Sequence, residues 1–299
     1  MSERVAAGLA GGAAKGLAHI GALEALEEHG LEPSIIAGTS AGALVGGLYA
    51  AGVSTAKLRS IVQEFDSTAL GKLIDLTWAK GSLVAGKRVE EFLRDLVGDV
   101  RIEELSMPFV ATTVDINSGV GFYLDSGPLV DAIRASISIP GVFEPVVGNR
   151  GYLVDGGLRL NLPIAVLRRF DPDVVVAVNV RDGGNLDLSW QTAAIERDDS
   201  RRPKERPDMW ERLRRYFSSD SPEGRDLPGV AFIASQVFNI LAADLANAEI
   251  ERADPDLAIH LDMAEIELWE FWRGVEAADI GYEQSREPIR RYVADRGER

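Results

Sequence analysis

The chain has 299 residues, 46% hydrophobic and 26% charged, with 30 glycines. That suits a globular α/β protein with a sizeable core, in one large domain or two smaller ones. No cysteine is present, which excludes disulfides, a thiolate nucleophile and cysteine-ligated metals, and fits a reducing compartment. The formal charge of −15 argues against a nucleic-acid partner and against electrostatic docking on anionic lipid.

The opening MSERVAAGLAGGAAKG is too short and glycine-rich for a secretory signal, and no run approaches the roughly 18 apolar residues of a spanning helix. The expectation is a soluble, cytoplasmic protein that meets a membrane, if at all, at its periphery.

In chain order, Val5–Leu9 reads as a short apolar strand, 11–16 (GGAAKG) as a loop, and Leu17–His29 as a helix stopped by Gly30. Ile35–Ala37 is a second strand, followed by a helix over Ala41–Ala51 that closes at Gly52. Two strand–loop–helix units in succession imply a parallel sheet with helices on its faces. Val89–Val97 (VEEFLRDLV) has the period of an amphipathic helix. FVATTVDI after Pro108 reads as a strand, Pro128–Ser136 as a helix, Tyr152–Val154 as a brief strand. Val174–Val180 (VVVAVNV) is β-branched almost throughout, as in a strand buried on both faces. From Arg181 to Pro228 the composition turns charged and proline-rich, which marks a mobile or capping excursion from the core. Gly229–Ile250 resumes as a long apolar helix, Asp256–Leu261 is a last strand, and Glu265–Ala294 reads as helical. The fold class is therefore α/β, a mostly parallel central sheet sandwiched between helices. The domain map is one domain over 1–299, with an insertion at about 181–228 and a helical part at about 229–299.

The stretch GTSAG sets Ser40 between Gly38 and Gly42, just after a strand and just before a helix. A serine at the apex of so sharp a turn needs small residues two positions before and after it. The following helix would aim its free N–H groups and positive dipole end at the serine oxygen. This is the pattern of a nucleophile elbow, although a plain glycine-rich turn would read the same. The GGAAKG loop matches neither a Walker loop nor a dinucleotide fingerprint. An anion site at the helix start, an oxyanion hole and an ordinary tight turn stay open.

A nucleophilic serine needs a base. Of the histidines, His19 and His29 fall on the first helix, and His260 falls inside a strand. His260 follows Ser and Asp in the order of an α/β-hydrolase triad, so it stands as a rival base. Asp155-Gly156-Gly157 and Asp182-Gly183-Gly184 each follow a strand, and position alone does not choose between the two aspartates.

The segment LAGGAAKGLAHIGALEALEEHGLEPSIIAGTSAGALVGGLYAAG resembles the opening of a patatin-like phospholipase. RASISIPGVFEPV (134–146) and YLVDGGLRLNLP (152–163) resemble that family's second block, and VATTVDINSG (110–119) the strand and turn between. ANAEIERADPDLAIHLDM (246–263) is similar to the closing part of bacterial members. The resemblance implies a Ser–Asp dyad hydrolase of lipid carboxylic esters, phospholipid, lysophospholipid or neutral lipid. In it Ser40 is the nucleophile, Asp155 its base, and the backbone of Gly11, Gly12 and Ala13 the oxyanion hole, with Asp182 a bystander. The sequence departs from the family where Ala13 stands for a third glycine and Lys15 for an arginine.

A carboxylate in a dry pocket can serve as such a base once burial raises its pKa toward neutrality. The reading calls for no metal, calcium included, and no cofactor. Its partner is a lipid or acyl-ester substrate, with transient membrane-surface contact. Trp269 and Trp272 could rim an acyl-chain pocket, but helix packing accounts for them as well. WERLRRYF could touch a lipid surface or a partner protein. The rival functions are a Ser–Asp–His260 triad esterase and a non-catalytic lipid- or protein-binding regulator.

Overall fold

The computed structural model describes residues 3–65, 85–148, 151–181 and 230–297. Its strands are β1 (Val5–Leu9), β2 (Pro33–Gly38), β3 (Phe109–Asp115), β4 (Gly121–Leu124), β5 (Val146–Val147), β6 (Tyr152–Asp155), β7 (Val174–Arg181) and β8 (Leu257–Asp262). Its helices are α1 (Ala18–Glu28), α2 (Ala41–Ala50), α3 (Thr55–Glu64), α4 (Lys87–Val97), α5 (Leu129–Ser136), α6 (Val230–Ala253) and α7 (Gly274–Gly297). The chain divides into two compact units, Met1–Gly183 with Leu241–Arg299, and Gly184–Ile240. The sheet belongs to the first. Of the second, residues 230–240 are described, as the first half of α6. The anticipated insertion, from Asp182 onward, lies outside the described residues.

The sheet runs β5-β6-β3-β2-β1-β7-β8, with β4 also paired to β3. The five strands β3, β2, β1, β7 and β8 are parallel, whereas β4, β6 and β5 join antiparallel. The mostly parallel, helix-covered sheet expected from the sequence is what the chain forms. Along β7 the valines alternate between two cores: Val174, Val176 and Val178 pack on the side of α1 and α2, and Val175 with Ala177 on the other. That explains why its sequence lacks a polar alternation. Helices α1 and α7 pack with glycines at the crossing. A side chain at Gly21 would overlap the Ala278 carbonyl, and one at Gly281 the Ala18 carbonyl.

One feature of the sheet places the site. Ala111 of β3 pairs with both Gly38 of β2 and Leu124 of β4, so β2 and β4 lie on opposite edges of β3. Thr113 pairs with both Phe122 of β4 and Asp155 of β6, so β6 shares an edge with β2. The two strands therefore approach each other end-on along β3, and their carboxyl ends stand two β3 residues apart, roughly 7 Å.

Asp155 closes β6, which runs antiparallel to β3, and it reaches the carboxyl edge of β2 because β3 outruns β2. Several expectations need correction. Helix α7 begins at Gly274 rather than at Glu265. The Leu268 carbonyl accepts from Ala14 N–H at 3.0 Å, where a helix would spend it on the residue four ahead. Helix α3 and strands β4 and β5 were not anticipated; α3 is capped by the Ser54 hydroxyl, which accepts from Lys57 N–H at 3.2 Å.

Candidate active site

Ser40 sits between β2 and α2 with φ 53° and ψ −122°, a left-handed conformation that costs a non-glycine residue on the order of 1–3 kcal/mol. Its neighbours in GTSAG are small because the turn leaves no room. A side chain at Gly38 would overlap the Gly42 carbonyl, and one at Gly42 the Leu9 carbonyl. The strained turn is tied down from two sides. Ser40 N–H donates to the Ser136 hydroxyl, at the end of α5, at 2.9 Å. The Thr39 hydroxyl donates to the Leu160 carbonyl at 2.6 Å and accepts from Thr112 at 2.7 Å.

Asp155 closes β6 and is fully buried. Burial pushes its carboxyl up to about 7, against the opposing pull of the Ser40 hydroxyl and of Gly157 N–H. Gly157 N–H donates to Oδ1 at 2.8 Å. The Ser40 side chain reaches the carboxyl, yet Oδ2 has no partner of good hydrogen-bond geometry. The two observations describe one close but loosely aligned pair, as catalytic hydrogen bonds often are before substrate tightens them. The structure thus brings Ser40 and Asp155 together.

The glycine loop lies between β1 and α1. Gly11 N–H donates to the Asn161 carbonyl at 3.1 Å. That N–H is engaged in this structure, which sets Gly11 apart from the other two residues of the expected oxyanion hole. Gly11 is needed for close approach: a Cβ there would lie 2.6 Å from Asn161 Oδ1 and 3.3 Å from Ser40 Cβ. The N–H groups of Gly12 and Ala13 have no backbone acceptor among the described residues. Ala13 adopts φ 48°, the conformation for which a glycine is favoured. Alanine here still presents its N–H, with a strain on the order of 1–2 kcal/mol.

Two residues beside the loop were not singled out for it from the sequence. His19 is fully buried, and its Nε2 donates to the Ala10 carbonyl at 2.7 Å. Burial lowers its pKa to about 4, so it is neutral and props the start of the loop. Asn161 holds Gly11 through its carbonyl, donates from Nδ2 to the Ala242 carbonyl at 2.9 Å, and keeps Oδ1 buried without a partner beside Gly11. Its place six residues after Asp155 was the available signal.

His260 lies on the edge strand β8, exposed, with β7 and β1 between it and β2. Three strand spacings are roughly 14 Å, too far for a triad. His29 Nδ1 donates to the Ala25 carbonyl, 2.8 Å away at the end of α1. Asp182 lies outside the described residues, as does the WERLRRYF segment. Trp269 and Trp272 fall in the turn before α7, and Trp272 is exposed. Among the described residues no cluster of three or more metal-ligating side chains occurs.

The patatin-like phospholipase family model matches residues 9–168, more than half of the chain, and both Ser40 and Asp155 fall within it. The chain belongs to the patatin-like phospholipase family. An NTE family protein of Mycobacterium tuberculosis is 37% identical over 179 residues, 60% of this chain and 49% of the relative. Lysophospholipase NTE1 of Kluyveromyces lactis is 32% identical over 257 residues, 81% of this chain but 18% of the relative. This patatin-like chain thus spans about half the length of the first curated relatives it matches, and less of the others. Among solved structures, VipD from Legionella pneumophila aligns over 98% of this chain and 67% of its own, at 13% identity and a TM-score of 0.46.

Proposed function

We propose that the protein is a serine acyl hydrolase that cleaves carboxylic esters of lipids, phospholipid or lysophospholipid foremost, through an acyl-Ser40 intermediate. The observation that carries this reading is the strained Ser40 turn facing a fully buried Asp155 carboxyl whose pKa lies near 7. Family membership supports the same class, since several relatives carry the name lysophospholipase.

Ser40 Oγ attacks the ester carbonyl carbon while its proton passes to ionised Asp155. The negative charge that forms on the carbonyl oxygen faces the N–H groups of Gly12 and Ala13 and the amino end of α2. Each such donor is worth ~10²–10³ in rate. Asp155 returns the proton to the departing alcohol, then takes one from the water that attacks acyl-Ser40 and passes it to Ser40 Oγ as the acyl bond breaks and the fatty acid leaves. A base with a pKa near the working pH combines an adequate ionised fraction with adequate proton affinity. No histidine and no metal takes part in these steps.

The test is covalent labelling with a fluorophosphonate, followed by hydrolysis of a panel of acyl esters and phospholipids. The label should map to Ser40, and Ser40→Ala should fold normally, resist the label and lose ester hydrolysis. A label on another serine overturns the assignment.

A further inference from the structure

Past the edge where Ser40 and Asp155 meet, the sheet continues as two hairpins, β3–β4 and β5–β6. Their ends carry large apolar side chains in the open: Ile116 is 48% exposed, Val120 48%, Val147 78% and Tyr152 52%. Three of these form one row. Val147 pairs with Tyr152 across β5 and β6, and Ile116 N–H donates to the Tyr152 carbonyl at 3.0 Å, so the three are neighbours on one face of three adjacent strands. Two residues back on that face, Val114 and Val154 are buried. The row is the core face of the sheet carried outward beyond its cover.

The charge of these turns is as informative as their apolarity. From Val114 to Gly121 the one charged residue is Asp115, and from Val146 to Tyr152 it is Arg150. Asp115 is buried, and its carboxylate accepts from Asn117 N–H at 3.0 Å and from the Ser118 hydroxyl at 2.8 Å, inside its own turn. In a chain of charge −15 this edge is close to neutral.

We propose that Ile116, Val120, Val147 and Tyr152 form a docking edge that seats the protein on a zwitterionic lipid surface, beside the Ser40–Asp155 pair. The choice of a lipid partner rests on the hydrolase reading. The choice of a zwitterionic one rests on charge, because an anionic surface repels a strongly acidic molecule and the edge offers no cluster of cations to offset that. A second protein surface fits less well. Four half-exposed side chains present a few hundred Å², well short of the roughly 800 Å² per partner that a stable interface buries. Narrow hairpin ends enter an interfacial region more readily than they match a rigid face, and tyrosine suits the depth where one end is apolar and the other wet.

The experiment measures co-sedimentation of the full chain with phosphatidylcholine vesicles and, in parallel, turnover of a soluble short-chain p-nitrophenyl ester. Wild type and Ser40→Ala should bind the vesicles alike. The double variant Ile116→Ser, Val147→Ser should bind on the order of tenfold or more weakly while hydrolysing the soluble ester at an unchanged rate. If circular dichroism shows that variant to be misfolded, Val147→Asp alone, at the most exposed of the four positions, serves instead. Vesicle binding that the substitutions leave intact overturns the proposal, as does binding to phosphatidylglycerol vesicles alone, or a wild-type dimer that the substitutions split. Vesicle binding lost in the double variant, with no ester turnover by wild type, removes the hydrolase reading and supports the docking edge.

Discussion

Ser40 holds a conformation it would not choose, and Asp155 a burial it would not choose; each is kept by neighbours that satisfy part of the cost. The elbow is pinned through Ser136 and Thr39, and the carboxyl by Gly157 N–H. A base pushed up to about 7 has a direct consequence for rate. Because the ionised form accepts the serine proton, kcat/KM on a non-ionising ester should rise with pH and level off above about 7. Asp155→Asn should lose nearly all turnover, since an amide cannot take the proton. His260→Ala, altered on the far edge strand, should keep most of it. Parallel pH–rate profiles of the three proteins check this: an inactive but folded His260→Ala restores the triad, and an active Asp155→Asn removes the base.

At the level of elements, the decisive arrangement is two strands meeting end-on along one edge of β3. Helix α5 adds a third element, since its last residue supplies the acceptor for Ser40 N–H. Replacing Ser136 by Ala strips a buried donor of its partner at a cost of about 1–3 kcal/mol, and Ser136→Thr, which keeps the hydroxyl, should recover most of it. Labelling by the fluorophosphonate should slow in the alanine variant more than its stability loss alone predicts, while KM stays near wild type, because the nucleophile rather than the binding surface is displaced. An unchanged labelling rate would make Ser136 a purely structural contact. The local elements were readable: GTSAG, the β1–loop–α1 unit and VVVAVNV announce themselves through glycine spacing and β-branching. What a sequence does not carry is the direction in which a short strand joins. Tyr152–Asp155 reads the same parallel or antiparallel, so the sequence puts Asp155 at a strand end without saying which way that strand runs. Nor does a sequence carry the partner of the Gly11 N–H, a carbonyl 150 residues further along the chain. Strand β4 was missed because its four residues follow a turn and carry no alternation, although Phe122 and Tyr123 face different sides of the sheet.

Across the whole molecule, two buried ionisable groups pull stability in opposite directions. Asp155 is raised to about 7 from 3.8, so between those values the folded protein keeps a proton that the unfolded chain has released. Its contribution is full at low pH, falls as pH rises through this window and stays low above it. His19 is lowered to about 4 from 6.5, so the unfolded chain takes up a proton that the folded protein refuses, and stability falls as pH drops from 6.5 toward 4. Between about 4 and 6.5 the two slopes offset each other. Asp155→Asn keeps the shape and an acceptor for Gly157 but removes the ionisable group. The variant should be more stable than wild type above pH 7, by on the order of a few kcal/mol. That advantage should shrink steadily as pH falls and vanish near pH 4. Because the surface carboxylates are common to both proteins, the difference isolates Asp155. Between pH 4 and 6.5 the variant should also climb more steeply than wild type, since His19 then acts unopposed. Denaturant unfolding of both proteins from pH 4 to 8 measures this directly. A variant no more stable than wild type at pH 8 would mean that Asp155 carries no burial penalty, and with it would go the physical basis for a carboxylate base at this position.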